Sequence, residues 1–321
     1  MKTYLLFVLI IVFNITLLSQ IRIYPSIRAQ IETPIAINPT NSNNLIGTAI
    51  TLVSSNFAKI GYYYSLNGGQ TWQGNEDFSM DISAGDPVVA FDPDGVAYIV
   101  FQVFNERKLY MRKSTDGGVN WIPALTMSAA EIISVSDPDK LDKPWIAVSP
   151  IRNQNGFYNI YISFTYIYQD PYYDLPTWIW LYRSTDGGNS FIGVDHFSDE
   201  FYDCIGSYVE VGPVGEVFIS YSTAIMARTE VISIKASRST NEGITFLNSV
   251  EIPVIQIGLY GESGYYLKER NVRADCYPRI AVDRSPLFSG NAYLIWSARA
   301  VEGGDANIRM IKGSVIGGQF S

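Results

Sequence analysis

Cysteine and histidine are nearly missing from this chain: Cys204, Cys276 and His196 are the only ones in 321 residues. A structural zinc centre needs four ligands, and a Ser-His-Asp triad would rest wholly on His196. Neither is easily assembled, so no metal and no cofactor is expected, and His196 reads as a loop residue. Basic residues are also few, with 23 Lys and Arg against 31 Asp and Glu for a net charge of −8. No basic stripe appears. Phosphate binding depends on clustered Lys and Arg, so nucleic acid is not an expected partner. Long helical periodicity is absent as well. The strongest apolar run, Leu5 to Phe13, is shorter than the roughly 20 residues a membrane-spanning helix needs. With Ala29 as a small residue for cleavage, residues 1–29 read as a signal peptide, the alternative being an uncleaved N-terminal anchor. A membrane is a partner only in the second case. Either way, residues 30–321 are expected to be secreted or extracytoplasmic.

What the chain does contain is repetition. Four octads recur: Ser65-Leu-Asn-Gly-Gly-Gln-Thr-Trp72, Ser114-Thr-Asp-Gly-Gly-Val-Asn-Trp121, Ser184-Thr-Asp-Gly-Gly-Asn-Ser-Phe191 and Ser239-Thr-Asn-Glu-Gly-Ile-Thr-Phe246. Asp or Asn can bond its own backbone and glycine supplies positive φ, so each octad encodes a tight turn. Such spacing marks a modular β architecture. Ahead of the octads come short Val/Ile/Tyr-rich runs opened by Pro or closed by Asp-Pro-Asp-Gly, which read as strands and turns. Inner strands begin at Glu32, Asp86, Asp142, Ser207 and Cys276. Most carry a small residue at one repeated position (Ala36, Ala90, Ala147, Ala281), where crowding near an axis is expected; Glu210 breaks that pattern.

The octads resemble the Asp box, or BNR repeat, of the sialidase superfamily. The resemblance implies an all-β fold for residues 30–321: a sialidase-like β-propeller of four-stranded antiparallel blades. Five blades are visible and six are possible. It also implies that the boxes lie on the face away from the active site. The residues that would make a sialidase do not match. The stretch corresponding to the family's Arg-Ile-Pro is Glu32-Thr33-Pro34, and a sixth blade with its Tyr nucleophile is not found. Asp86 is a candidate acid/base, and Arg279 a candidate clamp.

The candidate ligand-binding residues are Asp142, Lys143, Tyr208, Arg273, Asp275, Tyr277 and Arg279, each at or just inside the start of an inner strand. Tyr208 and Arg279 take the slot that Val88 and Trp145 take in other blades. A buried arginine there needs a carboxylate partner, Asp275 or Glu210; one that opens into a cleft can clamp an acidic sugar. Cys204 and Cys276 precede the inner strands of consecutive blades and are expected to form a disulfide. Three functions follow: a non-catalytic propeller binding glycan or another extracellular ligand on the face opposite the boxes, an exo-glycosidase of exo-α-sialidase type with a rearranged site, or a structural cell-surface protein.

Overall fold

The computed structural model describes residues 22–79, 82–104, 106, 108–122, 125–128, 140–167, 177–197, 202–225, 231–257, 266–267, 272–273, 276–285, 291–299 and 306–314. The N-terminal apolar run and Asp275 lie outside the described residues. So do the side chains of His196 and Arg273. Among the described residues the regular elements are all β-strands, and no helix is long and apolar enough to cross a membrane.

The strands form antiparallel sheets in chain order. The first contains β1 (Gln30–Ile31), β2 (Ile35–Ile37), β3 (Leu45–Ser54), β4 (Phe57–Ser65) and β5 (Gln73–Asn75). The second runs β6 (Ala84–Phe91), β7 (Ala97–Val103), β8 (Lys108–Ser114) and β9 (Leu125–Ser128). The third is β10 (Lys140–Arg152), β11 (Tyr158–Ile167), β12 (Trp178–Ser184) and β13 (Ile192–Phe197). The fourth is β14 (Tyr202–Val211), β15 (Val217–Ile225), β16 (Val231–Ser239) and β17 (Val250–Ile257). A short pair, β18 (Tyr266–Leu267) and β19 (Val272–Arg273), precedes a fifth sheet whose described strands are β20 (Arg279–Val282), β21 (Asn291–Arg299) and β22 (Ala306–Ser314).

Local chemistry explains the turns. Between β6 and β7, Asp92 Oδ1 accepts the amides of Asp94 (3.0 Å) and Val96 (2.9 Å), folding the Asp-Pro-Asp-Gly segment back on itself. In the second octad Ser114 Oγ donates to Asp116 Oδ1 at 2.8 Å and accepts the Gly118 amide at 2.9 Å. Asp116 Oδ1 accepts the Asn120 amide, and Trp121 Nε1 donates to the Gly118 carbonyl at 3.0 Å. The Ser–Asx–Gly set recurs around Ser65, Ser184 and Ser239. The Ser, Asx and Gly of the octad spacing are thus each bonded within the turn, while the aromatic donates to the turn in Trp72 and Trp121 and packs into the core in Phe191 and Phe246.

Cores lie between consecutive sheets. Ile46, Ile60 and Phe78 pack on Ile99, Phe101 and Val103, joining the first sheet to the second. Val100, Leu109 and Met111 meet Ile146, Ile160 and Phe164, joining second to third. Ala147, Tyr161 and Leu181 cover Val209 and Val217, and Ile205, Phe218 and Ile234 cover Ile280, Leu294 and Trp296. The octads seal the same interfaces: a Cβ on Gly118 would meet Ile46 at 2.9 Å, and one on Gly243 would meet Tyr161 at 2.9 Å.

Strand register separates two ends. In the third sheet Val148, Ile160 and Ser184 align at the octad end, whereas Asp142, Thr165 and Ile179 align at the other. Inner strands therefore begin at the end opposite the octads.

Cys204 and Cys276 are buried thiols and not the expected disulfide. Successive residues of a strand point to opposite faces. Cys204 packs with Ile179, Phe197 and Ile219 toward the third sheet. Its neighbour Ile205 packs with Cys276 and Ile280 on the fifth-sheet side. The two sulfurs belong to cores on opposite sides of β14.

Candidate functional site

In the second, third and fourth sheets the inner strand is interrupted at the same place. In the second sheet Gly85 faces Gln102 and Val88 faces Val100, so Asp86 and Pro87 together oppose a single residue. Lys143 and Pro144 do so between Asp142 and Trp145, as do Gly206 and Ser207 between Ile205 and Tyr208. These are β-bulges with two residues against one. The first residue of each is left-handed, with φ of 49° at Asp86, 49° at Lys143 and 66° at Gly206. Glu32, between β1 and β2, has φ of 53°.

The bulges converge on a cleft of about 430 Å³ at the strand-start end. Asp86, Lys143 and Gly206 line it from the bulges, Glu32 and Tyr277 from the corresponding places of the first and fifth sheets, and Val88, Trp145 and Arg279 from two residues further on. Inter-sheet bonds set this spacing. Asp86 Oδ2 accepts the Lys143 amide at 3.1 Å and Gln102 Nε2 at 2.7 Å. The Gly206 amide donates to Thr165 Oγ1 at 3.2 Å, and Ser222 Oγ donates to the Cys276 carbonyl at 2.9 Å.

The cations of the cleft rest on aromatic faces. Trp145 and Tyr208 stack with centroids 4.1 Å apart. The Arg279 guanidinium lies 5.1 Å from the first ring and 5.2 Å from the second, a cation–π arrangement. Arg279 is exposed, and among the described residues no carboxylate is within ion-pair distance of it. Lys143 Nζ lies 5.4 Å from the centre of the Tyr277 ring. Burial, with the nearby Glu210 carboxylate adding to it, pushes the Tyr208 hydroxyl up to about 12; Arg279 opposes both.

The structure therefore brings Asp86, Lys143, Tyr277 and Arg279 to one cleft, with Tyr208 beneath Arg279. Asp142 stands one residue before the bulge, opposite Thr165, and does not line the cleft. Glu210 is not the partner of Arg279. It pairs with Arg284 at 2.5 Å, near the octad end of β14, and burial raises its pKa against the pull of Arg284. Glu32 was not among the candidate binding residues. Its signal is its spacing to the small residue of the inner strand: Glu32 precedes Ala36 by four residues, as Asp86 precedes Ala90 and Lys143 precedes Ala147. Among the described residues no three His, Cys, Asp or Glu side chains gather as metal ligands.

No family model and no curated protein matches the sequence. Solved structures do match in shape. A protein of unknown function from Dyadobacter fermentans aligns with a TM-score of 0.54 at 15% identity, over 88% of this chain and 93% of its own. An α-L-arabinanase from Penicillium chrysogenum, complexed with arabinobiose, aligns with a TM-score of 0.52 at 11% identity, over 87% and 80%. A polysaccharide lyase of family PL25, an ulvan lyase, reaches 0.59 at 9% identity, over 90% and 68%. What is shared is the fold.

Proposed function

We propose that the consecutive sheets are blades of a secreted, sialidase-like β-propeller and that the cleft binds a glycan carrying a carboxylate. The observation behind this reading is Arg279: an exposed guanidinium seated on Trp145 and Tyr208, with no carboxylate partner among the described residues. Its planar fork suits a carboxylate. Aromatic faces beside a few polar groups suit a sugar ring. The arabinobiose complex and the ulvan lyase among the structural neighbours agree with carbohydrate as the ligand class.

The test is calorimetric titration with oligogalacturonate and with neutral arabinobiose. A charge-assisted hydrogen bond is worth roughly 1.5–3 kcal/mol, so Arg279→Ala should weaken binding of the acidic oligomer about 10- to 100-fold. Equal binding of both sugars, unchanged by Arg279→Ala, would sink the reading. Hydrolysis is a second reading, favoured because the carboxyl groups of Glu32 and Asp86 line one cleft; a glycosidase pair stands roughly 5–10 Å apart. Turnover of a fluorogenic sialoside or arabinofuranoside, abolished by Asp86→Asn, would establish it.

A further inference from the structure

A bulge whose first residue is left-handed ordinarily has glycine there, because any other side chain brings its Cβ too close to the following carbonyl oxygen. The fourth sheet obeys with Gly206. The second and third do not, placing Asp86 and Lys143 there, and Glu32 takes the corresponding place between β1 and β2; all three have positive φ. The chain elsewhere meets this need with glycine, as at Gly95, Gly156 and Gly215. Four non-glycine residues among those described have positive φ; three of them line the cleft, and the fourth, Glu242, sits in an octad turn. Asp86 and Lys143 also precede prolines, which restricts their backbone further. Strain of this kind persists where function holds it in place.

The fourth and fifth sheets show what the position does. A Cβ on Gly206 would lie 2.0 Å from Cδ1 of Tyr277, so the place a side chain would enter is filled by that ring from the next sheet. Around the cleft, Glu32, Asp86, Lys143, Gly206 and Tyr277 occupy corresponding places: two acids, a lysine, a glycine and an aromatic ring that fills the space beside that glycine. Asp86 also accepts the Lys143 amide, which ties two neighbouring bulges together.

We infer that Glu32, Asp86 and Lys143 are kept in strained geometry to contact the ligand, which adds Glu32 to the binding site. The inference rests on the cleft being a glycan site. It also orients the sugar: its hydroxyl groups donate to the Glu32 and Asp86 carboxylates, while its carboxylate lies against Lys143 and Arg279.

The experiment uses Glu32→Gly and Lys143→Gly, which relieve the backbone. It uses Asp86→Asn, which tolerates positive φ and keeps an acceptor for the Lys143 amide. Glu242→Gly is the control away from the cleft. Melting temperature and affinity for oligogalacturonate are both measured. Glu32→Gly and Lys143→Gly are expected to melt at or above the wild-type temperature, and affinity is expected to be at least tenfold weaker in the three cleft variants and unchanged in Glu242→Gly, whose lost bond from Asn159 touches stability alone. A melting temperature more than about 5 °C lower in both Glu32→Gly and Lys143→Gly would show that those side chains are retained for stability, overturning the inference. Affinity lost in Arg279→Ala but intact in Glu32→Gly and Lys143→Gly would overturn it while leaving the cleft reading standing. No binding by the wild type would overturn both.

Discussion

At the scale of single residues, glycines with the same backbone sign have very different neighbours. Gly206 (φ +66°) has the Tyr277 ring where a Cβ would go, whereas Gly156 (φ +82°) has nothing within 4 Å of that point. Alanine at 156 meets only the left-handed penalty, about 1–2 kcal/mol. Alanine at 206 adds a steric clash of the overpacking kind, about 1–3 kcal/mol more, and displaces the ring beneath Lys143. Urea unfolding should therefore rank Gly206→Ala clearly below Gly156→Ala. Equal losses would mean that Tyr277 moves aside at no cost, and the tight packing of the fourth bulge against the fifth sheet would be wrong. Glu210 illustrates the opposite outcome for a charge at an unusual place: with Arg284 beside it, it is a local ion pair and not a cleft residue.

At the scale of elements, the octads carry a pH dependence. Burial raises the pKa of Asp116 and of Asp186, but hydrogen bonds outweigh it: Asn120 and Ser114 lower Asp116, and Ser190, Ser184 and Asn189 lower Asp186. Both therefore lie below their ordinary value. A carboxyl with a depressed folded pKa contributes stability above its unfolded pKa of about 3.9 and loses it as pH falls through the folded value. The other two octads have Asn67 and Asn241 at the equivalent position, each accepting the backbone amide four residues on. The double variant Asp116→Asn/Asp186→Asn should therefore fold, and its stability should fall less steeply than wild type below pH about 4. Parallel acid melting curves would remove these two groups as the source. Asp116 is exposed and Asp186 half-buried, so solvent screening keeps the expected effect modest.

At the scale of the whole molecule, the described residues form four inter-sheet cores in series, and stability comes from these rather than from a cross-link. Cys204 lies in one core and Cys276 in the next, on opposite sides of β14. Alkylation in denaturant without reductant should modify both, and added reductant should leave the melting temperature unchanged. A protein lighter by two hydrogens and refractory to alkylation would restore the disulfide and require β14 to be turned over.

Local signals were legible in the chain itself. The octads could be read as turns because every bond in them lies within eight residues, and Asp92 could be read the same way. Asp86, Lys143, Tyr277 and Arg279 could be picked out as a group because each stands at or beside the start of an inner strand, a position marked by proline. Other features depended on register. The two residues per bulge, the left-handed φ of Glu32, Asp86 and Lys143, and the faces taken by Cys204 and Cys276 all follow from which residue of one strand pairs with which of the next. The small residues of the inner strands show the same limit: Ala147 is buried against Val209 and Val211, while Ala281 at the equivalent place is exposed. Turn chemistry is a property of neighbouring atoms along the chain, so composition and spacing determine it. Aim and pairing are properties of sheets brought together from distant segments, so only the packed structure decides that Arg279 lies on Trp145 and Tyr208 while Glu210 goes to Arg284.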